Sequence, residues 1–169
     1  MIRALLLLPL VCLVSISVAD AQREEGHIAP QMAFERILEN GRSAKLELRG
    51  KAIVLDFWAT WCSPCVAAIP KFNRLAVEFK DRPVVFLSVT DEPEEVVRKF
   101  LEKHPIEGFV AIDLDGSVFQ QHNVKGRPFT VLIDRSGRIA AITDTYSLNK
   151  AAIEDLLKQS ESQRAAGAK

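Results

Sequence analysis

The hydrophobic residues of this chain fall into runs whose spacing alternates between that of buried strands and that of amphipathic helices. Residues 52–58 are almost all apolar and rich in β-branched side chains, which predicts a central strand covered on both faces. From Val66 to Phe79 the apolar residues recur three or four apart, which predicts an amphipathic helix that ends near Lys80. The first strand is therefore followed at once by a helix.

This alternation continues to the C-terminal region. Further strands are predicted at residues 84–89, 109–112, 129–133 and 138–143. Helices are predicted after the acidic residues 91–95, at 117–122, and around Ile153, Leu156 and Leu157. The turn Asp134-Arg135-Ser136-Gly137 joins the last two strands as a hairpin. Strands alternating with helices predict an α/β fold, a central sheet flanked by helices on both faces.

The segments outside this pattern are shorter and more polar. Residues 22–44 are predicted to form an arm and a short helix, since Met32, Phe34, Ile37 and Leu38 recur at helical spacing before Asn40-Gly41. Leu46 and Leu48 alternate with charged residues as in a half-buried strand, so the domain is expected to span residues 45–159. Residues 160–169 have too few apolar side chains to order and are predicted to be a disordered tail.

The first 21 residues have the pattern of a secretory signal peptide. Arg3 precedes an apolar run over residues 4–18, and the small-residue tripeptide Ala19-Asp20-Ala21 follows it. We expect cleavage after Ala21 and export to the periplasm or another extracytoplasmic compartment. An uncleaved membrane anchor is the alternative, although the run is shorter than the ~20 residues of a spanning helix. Lipid attachment at Cys12 is disfavoured because Leu10 and Val11, rather than a small residue, precede it.

Length and charge narrow the function classes. The 148 residues left from 169 after cleavage suit one domain. The whole chain has 22 basic and 22 acidic residues, so it lacks the basic surplus of a nucleic-acid-binding protein. There is no long apolar seam that would require an obligate assembly, and a monomer is expected.

Cleavage would also leave only two of the three cysteines, in the sequence Cys62-Ser63-Pro64-Cys65. A zinc site needs further ligands, and the three histidines, at positions 27, 104 and 122, are scattered. A disulfide that closes so short a loop removes little entropy from the unfolded chain, which disfavours a purely structural role. The pair is therefore interpreted as a redox-active disulfide that needs no cofactor or metal.

The position of the pair suits thiol chemistry. Cys62 lies where the helix begins, and the unpaired N–H groups and dipole there favour its thiolate. Pro64 is tolerated in the first turn. We expect Cys62 to be exposed at the helix tip as the nucleophile, and Cys65, one turn further in and more buried, to resolve the mixed disulfide.

Two further residues fit the same chemistry. Asp56 interrupts the apolar central strand, so its pKa should be raised and it can exchange a proton with Cys65; the alternative is an Asp that faces out at the strand end. Pro128 comes just before the strand 129–133, where a cis proline in a tight turn beside the cysteines is expected. An ordinary trans loop proline is the alternative.

The stretches "VLDFWATWCSPC" and "GRPFTVLIDRSGRI" together resemble the thioredoxin superfamily, and the lead-in "LELRGKAIVLDFWATWC" is similar to exported TlpA/ResA-like thiol-disulfide oxidoreductases. The resemblance implies a thioredoxin fold with an N-terminal extension and an insertion around residues 107–125. It also implies a substrate groove across from the cysteines, in which the Arg127 backbone pairs with an extended substrate. For the Arg127 side chain, a solvated cation and a substrate contact both remain open. The groove residues are Trp61, Ser63, Pro64, Arg127 and Pro128, beside Trp58 and Phe129.

One departure concerns a carboxylate. TlpA/ResA-like proteins commonly carry a glutamate three residues after the second cysteine, where this chain has Ala68, whereas Asp56 precedes Cys62 by six residues as in cytoplasmic thioredoxins. A specialised role of the family, such as reduction of apocytochrome c thiols, is therefore not carried over to this chain.

Ser63-Pro64 supplies no cation that would make the pair oxidising. We therefore expect a reductase of protein disulfides, supplied with electrons by a membrane donor. A disulfide oxidase or isomerase and a non-catalytic binding module are the alternatives. By family resemblance, a related thiol peroxidase would need Thr and Pro where this chain has Ala59 and Leu55. This difference argues against a peroxidase.

Overall fold

The structure is a computed structural model that describes residues 25–167. A seven-stranded mixed sheet has the order β2-β1-β5-β4-β3-β6-β7. The strands are β1 (Arg36–Glu39), β2 (Arg42–Ser43), β3 (Ala52–Phe57), β4 (Val84–Thr90), β5 (Phe109–Ile112), β6 (Phe129–Ile133) and β7 (Ile139–Thr143). The helices are α1 (Ser63–Glu78), α2 (Glu94–Leu101), α3 (Ser117–Gln121) and α4 (Lys150–Gly167). Within residues 25–167, no helix combines the length and apolarity needed to span a membrane.

Strand β3 lies near the centre of the sheet, between β4 in parallel and β6 in antiparallel orientation, and all six of its residues are buried. Two apolar clusters pack against opposite faces of the sheet. One joins Val54 to Phe72 of α1 and Ile153 of α4, and the other joins Leu55 to Phe119 of α3. Helices thus cover both faces of the sheet, and the predicted α/β class is confirmed. A strand covered on both faces is expected to be apolar along its whole length, as β3 is apart from Asp56.

The segment predicted as an insertion forms β5 and α3. Strand β5 pairs in parallel with β4, and β1 pairs with the other side of β5 in antiparallel orientation. The N-terminal extension therefore adds β1 and β2 to the edge of the sheet that β5 of the insertion provides. The thioredoxin fold with both additions is confirmed.

The predicted helix before residue 40 is wrong, because this segment forms β1. Asn40 and Gly41 both have positive φ, 51° and 71°, which suits the two-residue turn of the β1–β2 hairpin. Met32 and Phe34, two residues apart, pack on the core from a segment that is neither helix nor strand. The apolar spacing that suggested a helix thus belongs to a segment that leads into a strand.

The strand predicted at Leu46 and Leu48 is also wrong in part. Both side chains pack on the core, as their alternation suggested, but residues 44–48 form no strand. At the other end of the chain, α4 continues to Gly167 where a disordered tail was predicted from residue 160. Glu, Gln, Arg and Ala favour helix even without an apolar face to bury. The predicted signal peptide with its cleavage site, and residues 168–169, lie outside the described residues.

A close approach between β4 and β5 makes Gly108 sensitive to substitution. Its φ is +87°, and an added Cβ would lie 2.6 Å from the carbonyl oxygen of Phe86. We expect Gly108→Ala to lower the free energy of unfolding by about 2–3 kcal/mol, measured by chemical denaturation. Gly116→Ala is the control, since Gly116 also has positive φ, +70°, but nothing within 4 Å of an added Cβ; it should cost only about 1 kcal/mol. Equal losses would show that backbone strain alone, not the contact, sets the cost.

Candidate active site

The two cysteines form a disulfide bond at the junction of β3 and α1, with an S–S distance of 2.06 Å. Cys62 is the N-cap residue of α1, and its Sγ accepts a hydrogen bond from the backbone N–H of Cys65 at 3.3 Å. Pro64 lies in the first turn of the helix, where its lack of an N–H costs nothing. A sulfur at this N-cap faces the positive end of the helix dipole.

The expectation that Cys62 is exposed at the helix tip is wrong. Cys62 is 5% exposed and Cys65 is 4% exposed, and both belong to the apolar cluster on the α1 side of the sheet. The bond to Cys65 holds the sulfur of Cys62 against the helix, and the N–H of Cys62 donates to Ala59 O at 3.1 Å in a tight turn. The exposed residues around the disulfide are its sequence neighbours Trp61, Ser63 and Pro64, and Trp61 is 69% exposed.

Asp56 is buried inside the sheet, so the alternative of an outward-facing carboxylate is wrong. The hydroxyls of Thr130 and Thr145 donate to its Oδ1 at 2.8 and 2.6 Å. Burial raises the pKa of Asp56 to about 6, the two hydroxyl hydrogen bonds partly oppose this, and the charge of Asp144 adds to it. The predicted raised pKa is confirmed, and near neutral pH this carboxyl can both take up and release a proton.

A small cavity connects Asp56 with Cys65. Its volume is about 10 Å³, which is the size of a single water site. The indole N–H of Trp58 is buried and has no hydrogen-bond partner within the described part of the chain. The cavity is lined by Asp56, Trp58, Cys65, Ile69, Phe72, Ser88, Ile106 and Thr145. Cys65 and the titratable carboxyl of Asp56 thus face the same small space.

The loop before β6 lies beside this site. The Arg127–Pro128 peptide bond is cis, as the sequence predicted, and the trans alternative is wrong. Phe129 pairs with Phe57 at the end of β3, and Thr130 pairs with Asp56. This register brings Pro128 next to the segment that leads from β3 to Cys62.

The solvated-cation alternative for the Arg127 side chain is wrong, and a substrate contact stays a prediction. The side chain is only 13% exposed and forms an ion pair with Asp91. Its guanidinium lies 4.3 Å from the ring centroid of Phe119 and 5.3 Å from that of Trp61, both within the range of a cation–π contact. Arg127 therefore joins the loop before β6 to the end of β4 and to the turn before Cys62.

Several site residues escaped the sequence analysis. The hydroxyl of Tyr146 donates to the carbonyl of Pro64 at 2.7 Å, and Glu92 binds Thr60 just before the disulfide. Asp91 and Glu92 were interpreted only as the acidic start of α2. The threonines near Asp56 carried no signal, because hydroxyl residues are common and their partners lie far along the chain.

No group of three or more His, Cys, Asp or Glu side chains that could hold a metal ion occurs in residues 25–167. The disulfide is the redox group that this part of the chain itself supplies.

Comparison with known proteins finds thiol-disulfide oxidoreductases among the relatives of this chain. The chain is 30% identical over 121 residues to the thiol-disulfide oxidoreductase ResA of Bacillus thuringiensis subsp. konkukian, a match that covers 71% of this chain and 69% of the relative. It is 29% identical over 164 residues to the protein of the same name from Bacillus subtilis, covering 92% and 90%. Among solved structures, a putative thiol:disulfide interchange protein DsbE from Chlorobium tepidum superposes with a TM-score of 0.66 at 29% identity. That match covers 80% of this chain and 96% of the other.

The AhpC/TSA family matches residues 26–142, which include the whole sheet apart from the last residue of β7. The disulfide, Asp56 and Pro128 all lie within this match. The chain therefore belongs to the AhpC/TSA family of the thioredoxin superfamily and is similar to the ResA thiol-disulfide oxidoreductases.

Proposed function

We propose that this chain is an exported reductase of protein disulfides. It is an enzyme, a thiol-disulfide oxidoreductase, and the proposal adds the direction of electron flow and the compartment. One observation carries the chemistry: the Cys62–Cys65 disulfide begins a helix while its second cysteine shares a cavity with a carboxyl whose pKa is about 6.

Reduction begins from the dithiol form. The Cys62 thiolate attacks one sulfur of the substrate disulfide, and the other substrate sulfur leaves as a thiolate that takes up a proton. The N–H of Cys65, which donates to Cys62 Sγ in the disulfide form at 3.3 Å, supports the negative charge on this sulfur before the attack. The product of this step is a mixed disulfide between Cys62 and the substrate.

The second step needs a base for Cys65. Asp56 accepts the Cys65 proton through the shared cavity, directly or over one water molecule, and the Cys65 thiolate attacks Cys62 Sγ. The substrate leaves with its second thiol, and the Cys62–Cys65 disulfide is restored. With a pKa of about 6, Asp56 is mostly ionised at pH 7 and can act as this base.

The substrate is proposed to enter a groove beside the disulfide, where the Arg127 backbone pairs with it. The residues proposed to border this groove are Trp61, Ser63, Pro64, Arg127 and Pro128.

The electrons for the next cycle must come from a dithiol donor. Disulfides persist in extracytoplasmic compartments, so the oxidised pair needs a source of electrons, which we propose to be a membrane protein. The signal-like residues 1–21 support the compartment, with cleavage after Ala21 and an uncleaved anchor as the alternative. A monomer is sufficient for this chemistry.

The direction is tested by the reduction potential. The dipeptide between the cysteines carries no charge, and the nearby cation Arg127 is paired with Asp91. We therefore expect a potential near that of thioredoxin, about −270 mV, when the protein is equilibrated with glutathione and dithiothreitol mixtures. A value near that of DsbA, about −120 mV, would make the chain an oxidase or isomerase. Failure of the disulfide to exchange at all would favour the non-catalytic binding module.

A further inference from the structure

We propose that Glu92 is a positioning residue that holds the turn before Cys62 and whose charge keeps the cysteine pair reducing. This inference rests on the proposed function, since it explains why the pair would donate electrons rather than accept them. It does not depend on which protein is the substrate.

The carboxylate of Glu92 binds the turn at two points. Its Oε2 accepts the backbone N–H of Thr60 at 2.6 Å, and its Oε1 accepts the hydroxyl of Thr60 at 2.6 Å. Thr60 lies inside the turn that the hydrogen bond from Cys62 N–H to Ala59 O closes. A side chain from the segment after β4 therefore fixes the backbone that leads directly into the disulfide.

Glu92 differs from its neighbour Asp91 in the charge of its partners. Asp91 is neutralised by the Arg127 guanidinium. The three donors that bind Glu92 are neutral: the Thr60 N–H, the Thr60 hydroxyl and the Thr90 hydroxyl, the last at 3.1 Å from Oε2. Hydrogen bonds from neutral groups hold a carboxylate in place without cancelling its charge at a distance. A half-buried negative charge is thereby fixed close to Cys62.

The sign of the effect follows from the two redox states. Thr60 and Cys62 are two residues apart, so their Cα atoms lie within about 7.6 Å. A carboxylate bound to Thr60 disfavours the Cys62 thiolate, which exists only in the reduced form, because the two negative charges repel each other. Stabilising the thiolate stabilises the reduced form and makes a pair oxidising. A fixed negative charge has the opposite effect and favours a reductase.

The other charged or titratable groups around the cysteines do not replace this one. Within residues 25–167 they include Asp56, Lys71, Asp91, Arg127, Asp144 and Tyr146. Asp56 faces Cys65 across the cavity, Lys71 donates to the Tyr146 carbonyl, and Asp91 and Arg127 offset each other. None of these contacts involves Glu92.

The test is Glu92→Gln, which keeps an acceptor for Thr60 and removes the charge. We expect the equilibrium between the pair and glutathione to shift about three- to tenfold toward the dithiol. The midpoint of Cys62 alkylation against pH should move down by about half a unit or more. The control is Glu95→Gln, which removes the same charge from an exposed position of α2 and should change neither measurement. Glu92→Met also removes the charge and should give the same shifts as Glu92→Gln. If one variant fails to fold, the other still tests the inference.

Two results would overturn the inference. If Glu92→Gln and Glu92→Met lower the melting temperature but leave the equilibrium and the alkylation midpoint unchanged, Glu92 is a structural residue only. If Glu95→Gln shifts both readings equally, net charge rather than position is responsible. Neither result bears on whether the protein turns over disulfides. An oxidising wild-type potential would overturn both the proposed direction and the claim that Glu92 keeps the pair reducing, and a shift in Glu92→Gln would then show only that the Glu92 charge lowers the potential.

Discussion

Replacing Cys62 by Ser is expected to abolish disulfide reduction, with a loss of roughly a thousandfold or more in turnover of a protein disulfide such as insulin. Serine retains the N-cap geometry but has no ionisable sulfur near neutral pH, so no mixed disulfide can form. The N-cap position and the hydrogen bond from Cys65 N–H are the observations that support Cys62 as the proposed attacking sulfur. The measurement is the rate of insulin reduction with dithiothreitol as donor.

Cys65→Ser separates attack from resolution. This variant should still attack but should accumulate a mixed disulfide through Cys62, visible as a mass increase that dithiothreitol reverses. Val77→Ser, on an exposed position of α1, serves as the matched control and should react as the wild type does. If Cys65→Ser attacks nothing while Cys62→Ser forms the adduct, the two cysteines have the opposite roles. If both variants still carried out both attack and resolution, redox chemistry at this cysteine pair would be contradicted.

The sequence predicted those parts of the fold and site whose signals are local. An unbroken apolar run specifies a strand buried on both faces, and Asp56 within it is conspicuous because an unpaired carboxylate there would be costly. Cys62, Cys65 and Pro128 were found by spacing and by their places at element ends. The strand β1 was missed because residues 32–38 satisfy two periods at once, and only the pairing of β1 with β5 decides between them.

The contacts that organise the site are long-range, and this is why they were not predictable. Arg127 and Asp91 are 36 residues apart, and Thr60 and Glu92 are 32 apart. Each pair joins two loops whose approach is set by the order of strands in the sheet. No composition or period of a single segment reports such a pairing. The burial of Cys62 likewise depends on the apolar cluster in which it lies, whose members include residues from distant strands and helices.

Asp56→Asn is expected to stabilise the oxidised protein above pH 7 and to slow its chemistry. The pKa of Asp56 is raised from 3.8 to about 6 by burial, so the ionised form costs the folded state free energy that the unfolded chain does not lose. A raised carboxyl pKa means that this contribution to stability falls as pH rises from about 4 to about 6 and stays low above it. Full removal of the shift corresponds to about 3 kcal/mol. Asn still accepts the Thr130 and Thr145 hydroxyls, so we expect a gain of about 1–3 kcal/mol at pH 8 and none near pH 3.

The same substitution should cost activity because the base for Cys65 is lost. We expect resolution of the mixed disulfide to slow by about a hundredfold at pH 7. The wild-type rate should rise through a midpoint near pH 6, the pKa of Asp56, and Asp56→Asn should lose this dependence. Asp81→Asn, at an exposed position, is the control for both readings. A variant that gains stability but keeps the wild-type rate and pH profile would show that Asp56 is a strained carboxyl without a role in proton transfer. A variant that loses the rate but gains no stability would show that the hydroxyls of Thr130 and Thr145, which donate at 2.8 and 2.6 Å, offset the cost of burying its charge.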